Sequence, residues 1–179
     1  MRRRDFIKLL GGLAAGLPPA AWAQRAGADS TKDEDAQAAI REQLIGSWEL
    51  VSITSHYQPS VSEFEAGKTP RDFAQPYGPN AKGRLTFERN GRFASTILDS
   101  NGSKPSSDPE GAPAELVASA GTFSMYPRPK DVELIFDPGS RRSRVFIEIE
   151  SLTAEELQFS TFGPPGNPWS SSFAYRRAK

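Results

Sequence analysis

The chain has 179 residues, 37% of them hydrophobic, with no cysteine and a formal charge of zero. That length holds one domain, and the lack of cysteine excludes a disulfide framework, a thiolate nucleophile and a thiolate metal site. The neutrality is uneven: of 22 basic and 22 acidic side chains, Arg2, Arg3, Arg4, Lys8 and Asp5 lie within residues 1–23, which leaves 18 basic and 21 acidic groups beyond them. A mildly acidic body has no field to attract phosphate backbones, so no nucleic acid is expected as a partner.

The first element is a basic start followed by a weakly apolar stretch over 9–17, broken by Gly11, Gly12 and Gly16 and ended by Pro18 and Pro19. It falls short of the roughly 20 apolar residues that a bilayer core demands, so no permanent membrane span is expected. Ala21-Trp22-Ala23 has the small-x-small form that a signal peptidase reads, with cleavage expected before Gln24. The order Arg3-Arg4-Asp5-Phe6-Ile7-Lys8 resembles the twin-arginine signal family, with Arg2 standing where that pattern usually has Ser or Thr. The resemblance implies export by the twin-arginine pathway to a periplasmic or secreted location. The expected organisation is a signal peptide over 1–23, a flexible segment and short helix over 24–43, and one domain over 44–179.

Residues 24–31 are small and polar and are expected to be disordered once the signal is removed. Over 33–45, Ala36, Ile40 and Leu44 recur at helical spacing behind an acidic start, which predicts a short amphipathic helix. The periodicity then changes to strands, at 48–56, 82–88, 92–99, 117–126, 131–136, 144–151, 156–162 and 169–176. Turn residues such as Asn90-Gly91 and Pro138-Gly139 separate most of them, as in antiparallel all-β structure. Two stretches rich in Pro, Gly, Ser and charge, 57–81 and 100–115, read as long loops.

The hairpin around Asn90-Gly91 can be placed by its faces. A two-residue turn would send Phe87 and Phe93 to opposite sides, whereas a three-residue loop, Arg89-Asn90-Gly91 with a left-handed glycine, pairs Phe87 with Phe93 and Leu85 with Ser95. The second choice buries Leu85, Phe87, Phe93 and Ile97 together. Similar alternation predicts Val132, Leu134, Phe136, Val145, Ile147, Ile149, Leu157 and Phe159 as inward residues, and Trp169, Phe173 and Tyr175 on one side of the last strand. Eight strands with one wet face each must close on themselves or pack as two layers, and an eight-stranded barrel has room for packed side chains or one small ligand.

Gly46-Ser47-Trp48 opens the first strand directly after the helix. With Leu44-Ile45 before it, Pro76-Tyr77-Gly78-Pro79 and Gly83-Arg84-Leu85-Thr86-Phe87, this stretch is similar to the bacterial lipocalin-like domain family, over roughly 44–177. The resemblance implies an eight-stranded antiparallel lipocalin-like (calycin) barrel with a short N-terminal helix. It implies that Trp48 crosses the closed end and that an arginine late in the last strand stacks on it. Arg176 or Arg177 matches by position, with Arg176 placed beside Gly46 and Trp48 at the base. It also implies a small-molecule ligand and no cofactor.

Counting by twos from Trp48 points Leu50, Ser52, Thr54 and His56 inward. The count leaves Val51 and Ile53 outside, either beneath the helix or with the parity reversed by a bulge. On this count the expected ligand-binding residues are Thr54, His56, Phe93, Ser95, Phe173 and Tyr175. His56 has no acid or nucleophile partner visible in the sequence. One histidine and scattered carboxylates offer no metal site. Glu148 and Glu150 read as a solvated outer face, Ser170, Ser171 and Ser172 as alternating strand positions without a nucleophile elbow, and Arg141, Arg142 and Arg144 as a solvated turn. Binding of a small, mainly apolar molecule in the interior is the leading expectation. The alternatives are an isomerase, cyclase or hydratase on the same barrel, and a packed interaction module. An interior filled by Phe87, Phe93, Phe136 and Phe159 would exclude the container.

Overall fold

The structure is a computed structural model that describes residues 19–105, 116–126, 130–137, 144–162 and 167–179, with side chains from Lys32 onward. The arginine-rich start of the expected signal, most of the second long loop, the turns at 127–129, 138–140 and 163–166, and Arg141 and Arg142 lie outside the described residues. The chain divides into a unit up to Lys32 and a compact unit from Asp33 to Lys179.

Helix α1 spans Pro19–Leu44 and so begins well before the expected residue 33. In the full chain the segment 24–31, for which disorder is expected after removal of the signal, is part of this helix: Pro19 suits a first helical position and Ala20, Ala21, Ala23, Ala26 and Ala28 are strong helix formers. The end agrees with expectation. Gly46, at φ +130°, turns the chain from the helix into the first strand, a conformation that L side chains resist. Among the described residues no helix is long and apolar enough to cross a membrane.

All eight expected strands form: β1 (Gly46–Tyr57), then β3 (Lys82–Phe87), β4 (Arg92–Leu98), β5 (Ala118–Met125), β6 (Asp131–Phe136), β7 (Arg144–Leu152), β8 (Glu156–Phe162) and β9 (Trp169–Arg177). The first long loop is not structureless. It carries a short helix, α2 (Val61–Glu65), and a ninth strand, β2 (Arg71–Ala74), which pairs only with the far half of β1. From β3 to β9 neighbouring strands pair antiparallel in sequence order, and β1 pairs with both β3 and β9 to close the barrel, with β2 laid along the far half of β1.

The β3–β4 hairpin has the predicted register, with Phe87 opposite Phe93, Leu85 opposite Ser95 and Gly91 at φ +85°. Its three-residue loop is closed by Glu88 N–H donating to the Arg92 carbonyl at 2.8 Å. Every residue predicted inward on β3, β4, β6, β7 and β8 is buried.

Strand β1 departs from the simple count. Its register against β9 shifts between Leu50 and Ser52, so Val51 is the extra residue of a bulge and stands 56% exposed. Beyond it the parity is reversed: Ile53, Ser55 and Tyr57 are buried, while Thr54 and His56 face outward. Burying Ile53 and Tyr57 outweighs burying a threonine and an imidazole, which explains why the bulge is kept.

Candidate functional site

The base of the barrel is built around Trp48, fully buried, whose indole N–H donates to the Leu44 carbonyl at 2.9 Å. Arg177 is the arginine that covers it, with its guanidinium carbon 3.9 Å from the ring centroid. That side chain also donates to the carbonyls of Ile45 at 2.7 Å, Gln43 at 2.8 Å and Ala154 at 3.1 Å. It thereby satisfies carbonyls that the end of α1 leaves without helical partners. The close fit explains Gly46, because a side chain there would collide with the Arg177 guanidinium.

Arg176 does not take this place. It follows the inward Tyr175, so it points outward and meets Glu49 at 3.4 Å.

Four of the six residues expected to bind a ligand do face the interior. Phe93, Ser95, Phe173 and Tyr175 are all buried. They are committed to packing: Phe173 and Tyr175 stack with Phe159 at centroid distances of 5.0 and 5.7 Å, and Phe93 meets Phe136 edge-on at 5.5 Å. Ser95 donates to the Leu116 carbonyl at 2.7 Å. The Tyr175 hydroxyl is buried without a hydrogen-bond partner among the described residues, and burial raises its pKa above the ordinary phenol value. Phe87, Phe93, Phe136 and Phe159 are each at most 7% exposed. Among the described residues the aromatic interior is a packed core.

Thr54 and His56 are placed elsewhere by the bulge. His56 lies on the outer wall, its Nδ1 2.9 Å from an Asp72 carboxylate oxygen on β2 and its Nε2 3.2 Å from the Ser172 hydroxyl on β9. The acid and hydroxyl partners that the sequence did not reveal are both present. Asp72 went unnoticed because a four-residue strand flanked by Pro70 and Pro76 carries almost no periodic signal.

The open space lies in the wall. Strand β1 pairs with β3 only as far as Glu49 opposite Arg84, and its pairing with β2 starts at Thr54 opposite Ala74. Between these ladders lies a groove of about 440 Å³, lined by Leu50 and Leu98 and by Glu49, Lys82, Arg84 and Arg176. Gly83 lets Leu50 pack directly onto β3 at the groove, since a side chain at Gly83 would come within 2.9 Å of the Leu50 Cβ. Three cations face one carboxylate. Glu49 spans two of them, 3.7 Å from Arg84 and 3.4 Å from Arg176. A second groove of about 540 Å³, lined by Asn80, Ala81, Ser100 and Asn101, adjoins it at Lys82.

None of the residues expected to bind a ligand lines either groove. Leu50, Gly83, Arg84 and Leu98 carried no distinguishing signal, because a groove at a break between two ladders depends on a bulge that no local pattern announces.

No family model matches the chain, and no curated protein matches it. Among solved structures it is similar to a lipocalin-like protein from Bacteroides uniformis, at 16% identity with a TM-score of 0.41, over 76% of this chain and 99% of that one.

Proposed function

We propose that the chain is an exported barrel that binds a small, mainly apolar molecule bearing an anionic group, and that this molecule lies in the wall groove rather than at the barrel centre. The observation that carries the reading is the groove itself: an opening of about 440 Å³ with leucine side chains and an excess of cations. That volume is in the ordinary range of small-molecule sites, roughly 300–1,000 Å³. Among the described residues the interior is occupied by buried aromatic rings, with Phe159 stacked on Phe173. Leu50 and Leu98 would cover an aliphatic or planar body, while Arg84 and Arg176 exchange part of their contact with Glu49 for a ligand carboxylate. Export is supported by Arg3-Arg4 and by Ala21-Trp22-Ala23 before Gln24.

One experiment tests both parts. The full chain is expressed in a bacterium with a twin-arginine system, recovered from the periplasmic fraction, and titrated with dodecanoate by calorimetry. The expected product starts at Gln24 and binds dodecanoate, with about tenfold or greater loss in the double variant Arg84→Gln/Arg176→Gln, since charge-assisted contacts contribute about 1.5–3 kcal/mol each. A full-length product confined to the cytoplasm overturns the export reading. Absence of binding, or equal binding by the double variant, overturns the groove.

A further inference from the structure

A chain of hydrogen bonds crosses five strands on the outer wall. Asp72 on β2 contacts His56 Nδ1 at 2.9 Å, His56 Nε2 contacts Ser172 Oγ on β9 at 3.2 Å, and Ser172 Oγ contacts Ser160 Oγ on β8 at 3.0 Å. Ser160 in turn donates to a Glu150 carboxylate oxygen on β7. We infer that Ser172, His56 and Asp72 form a nucleophile, a general base and its orienting acid, and that this outer wall cleaves aryl esters.

The order of the groups is what acyl transfer requires. The Asp72 carboxylate can only accept, so it holds the imidazole proton on Nδ1 and leaves Nε2 as the bare nitrogen that faces Ser172 Oγ. Ser160 gives its one proton to Glu150, so Ser172 donates to Ser160 at rest, and its O–H rotates from Ser160 to Nε2 before the transfer. Backbone pairing fixes the arrangement. His56 lies directly opposite Asp72 in the β1–β2 ladder, and Ser172 lies opposite Thr54, two residues away on the same outer face of β1. The bulge at Val51 puts His56 on this face. Were Val51 a regular strand position instead of a bulge, the histidine would point inward, away from both partners.

The surroundings restrict the substrate. Ser172 sits in mid-ladder between Thr54 and Ser160, where backbone N–H groups are engaged in strand pairing rather than gathered into an oxyanion hole. A substrate must therefore bring a good leaving group of its own, and a phenolate is one. Exposed aromatic side chains adjoin the site. Phe162, 54% exposed, is opposite Ser170, which is itself opposite His56. One step beyond the Ile147–Thr161 pair, Phe146 stands beside Phe162 on the neighbouring strand, and Tyr126 contacts Phe146 at 5.0 Å. Such an exposed aromatic strip gives a flat aryl group a surface to lie on.

In the reaction, Ser172 Oγ forms a bond to the ester carbonyl carbon as its proton passes to His56 Nε2. The bond from that carbon to the phenolic oxygen breaks, and the phenolate takes the proton from Nε2. A water molecule then gives a proton to Nε2 and adds to the acyl carbon. The bond to Ser172 Oγ breaks and the serine regains the proton, so ester and water yield acid and phenol.

The test uses p-nitrophenyl butyrate with the full chain, followed by digestion and mass spectrometry after exposure to a fluorophosphonate. The expected result is phenol release above background, with the phosphonyl group on Ser172. Ser172→Ala and His56→Gln, both at strand positions that are not fully buried, should keep the wild-type circular dichroism and lower the rate by about 10²-fold or more. Asp72 is a positioning residue, and Asp72→Asn should lower kcat while leaving KM for the ester unchanged, because an amide can also donate to Nδ1 and no longer fixes the tautomer. Label on another residue, or an unchanged rate in folded Ser172→Ala, overturns the assignment.

Discussion

The two halves of β1 obey opposite rules. Before Val51 the strand follows the count that begins at the buried Trp48, and its neighbours Leu85 and Arg177 join the closed base. After Val51 the same strand has its faces exchanged, so residues that a simple alternation sends inward carry polar contacts on the outside. One inserted residue separates a sealed end from a wall with chemistry on it. The difference shows how a bulge, which costs little in a closed barrel, can redirect every later side chain of its strand.

The largest effect is expected from forcing the other parity. Deleting Val51 alone joins Leu50 to Ser52 in the register they already hold and leaves Ile53 and Tyr57 inside, whereas deleting Val51 and Ser52 together sets Ile53 next to Leu50 and drives Ile53 and Tyr57 into water and His56 into an apolar interior. With each large apolar side chain contributing roughly 1.5–3 kcal/mol by burial, urea unfolding should show a loss above about 3 kcal/mol. Val51→Ser keeps the extra residue and changes only a side chain that is 56% exposed, so it should stay within about 0.5 kcal/mol of wild type. A double deletion that unfolds like wild type would mean that the facing of the far half is not what holds β1 in place.

How far the sequence reached follows the same division. The β3–β4 register was legible because only the three-residue loop keeps Phe87 and Phe93 on one face, and the structure has that loop. Arg177 was also within reach: the alternation Phe173, Tyr175 carried one step further selects Arg177 over Arg176. The reversal in β1 was left open, because the simple count puts both Val51 and Ile53 outside, where the helix could have covered them, whereas the bulge leaves Val51 exposed and takes Ile53 inside. Strand β2 was hidden by its length, and Asp72 with it, since four residues gain their order from pairing with β1 rather than from their own pattern.

The base offers a smaller and sharper contrast. Arg177→Ala removes three hydrogen bonds to carbonyls and the contact with the Trp48 ring, and should cost about 2–3 kcal/mol in urea unfolding. Arg177→Lys should recover little of it, because an ammonium cannot spread over an indole and reach three carbonyls at once. Arg176→Ala loses an exposed ion pair with Glu49 and should change stability by less than about 0.5 kcal/mol. Equal costs for the two alanine variants would remove the distinction between the sealed base and the outer wall.

The smallest effect is expected in acid, on the segment that follows the far half of β1. Helix α2 starts with a capping box in which the Glu63 carboxylate accepts from Ser60 N–H at 3.0 Å, and its other oxygen accepts from the Lys68 ammonium at 2.7 Å. Lys68 first, and then the Ser60 backbone, lower the Glu63 pKa from the ordinary 4.5 to about 2. A pKa lowered by folding means that the contribution is whole above the unfolded value and fades as protons bind the folded carboxylate. Helix α2 should therefore hold at neutral pH and loosen between about pH 4.5 and 2. The base is held by Arg177 against backbone carbonyls and the Trp48 indole rather than against a carboxylate, so it should be unmoved. Carboxyl-carbon NMR of Glu63 should give a midpoint near 2 that rises toward 4.5 in Lys68→Ala, while the Trp48 indole resonance stays fixed. If the indole shifts together with Glu63, the two ends of β1 answer acid as one unit and the division at Val51 has no thermodynamic meaning.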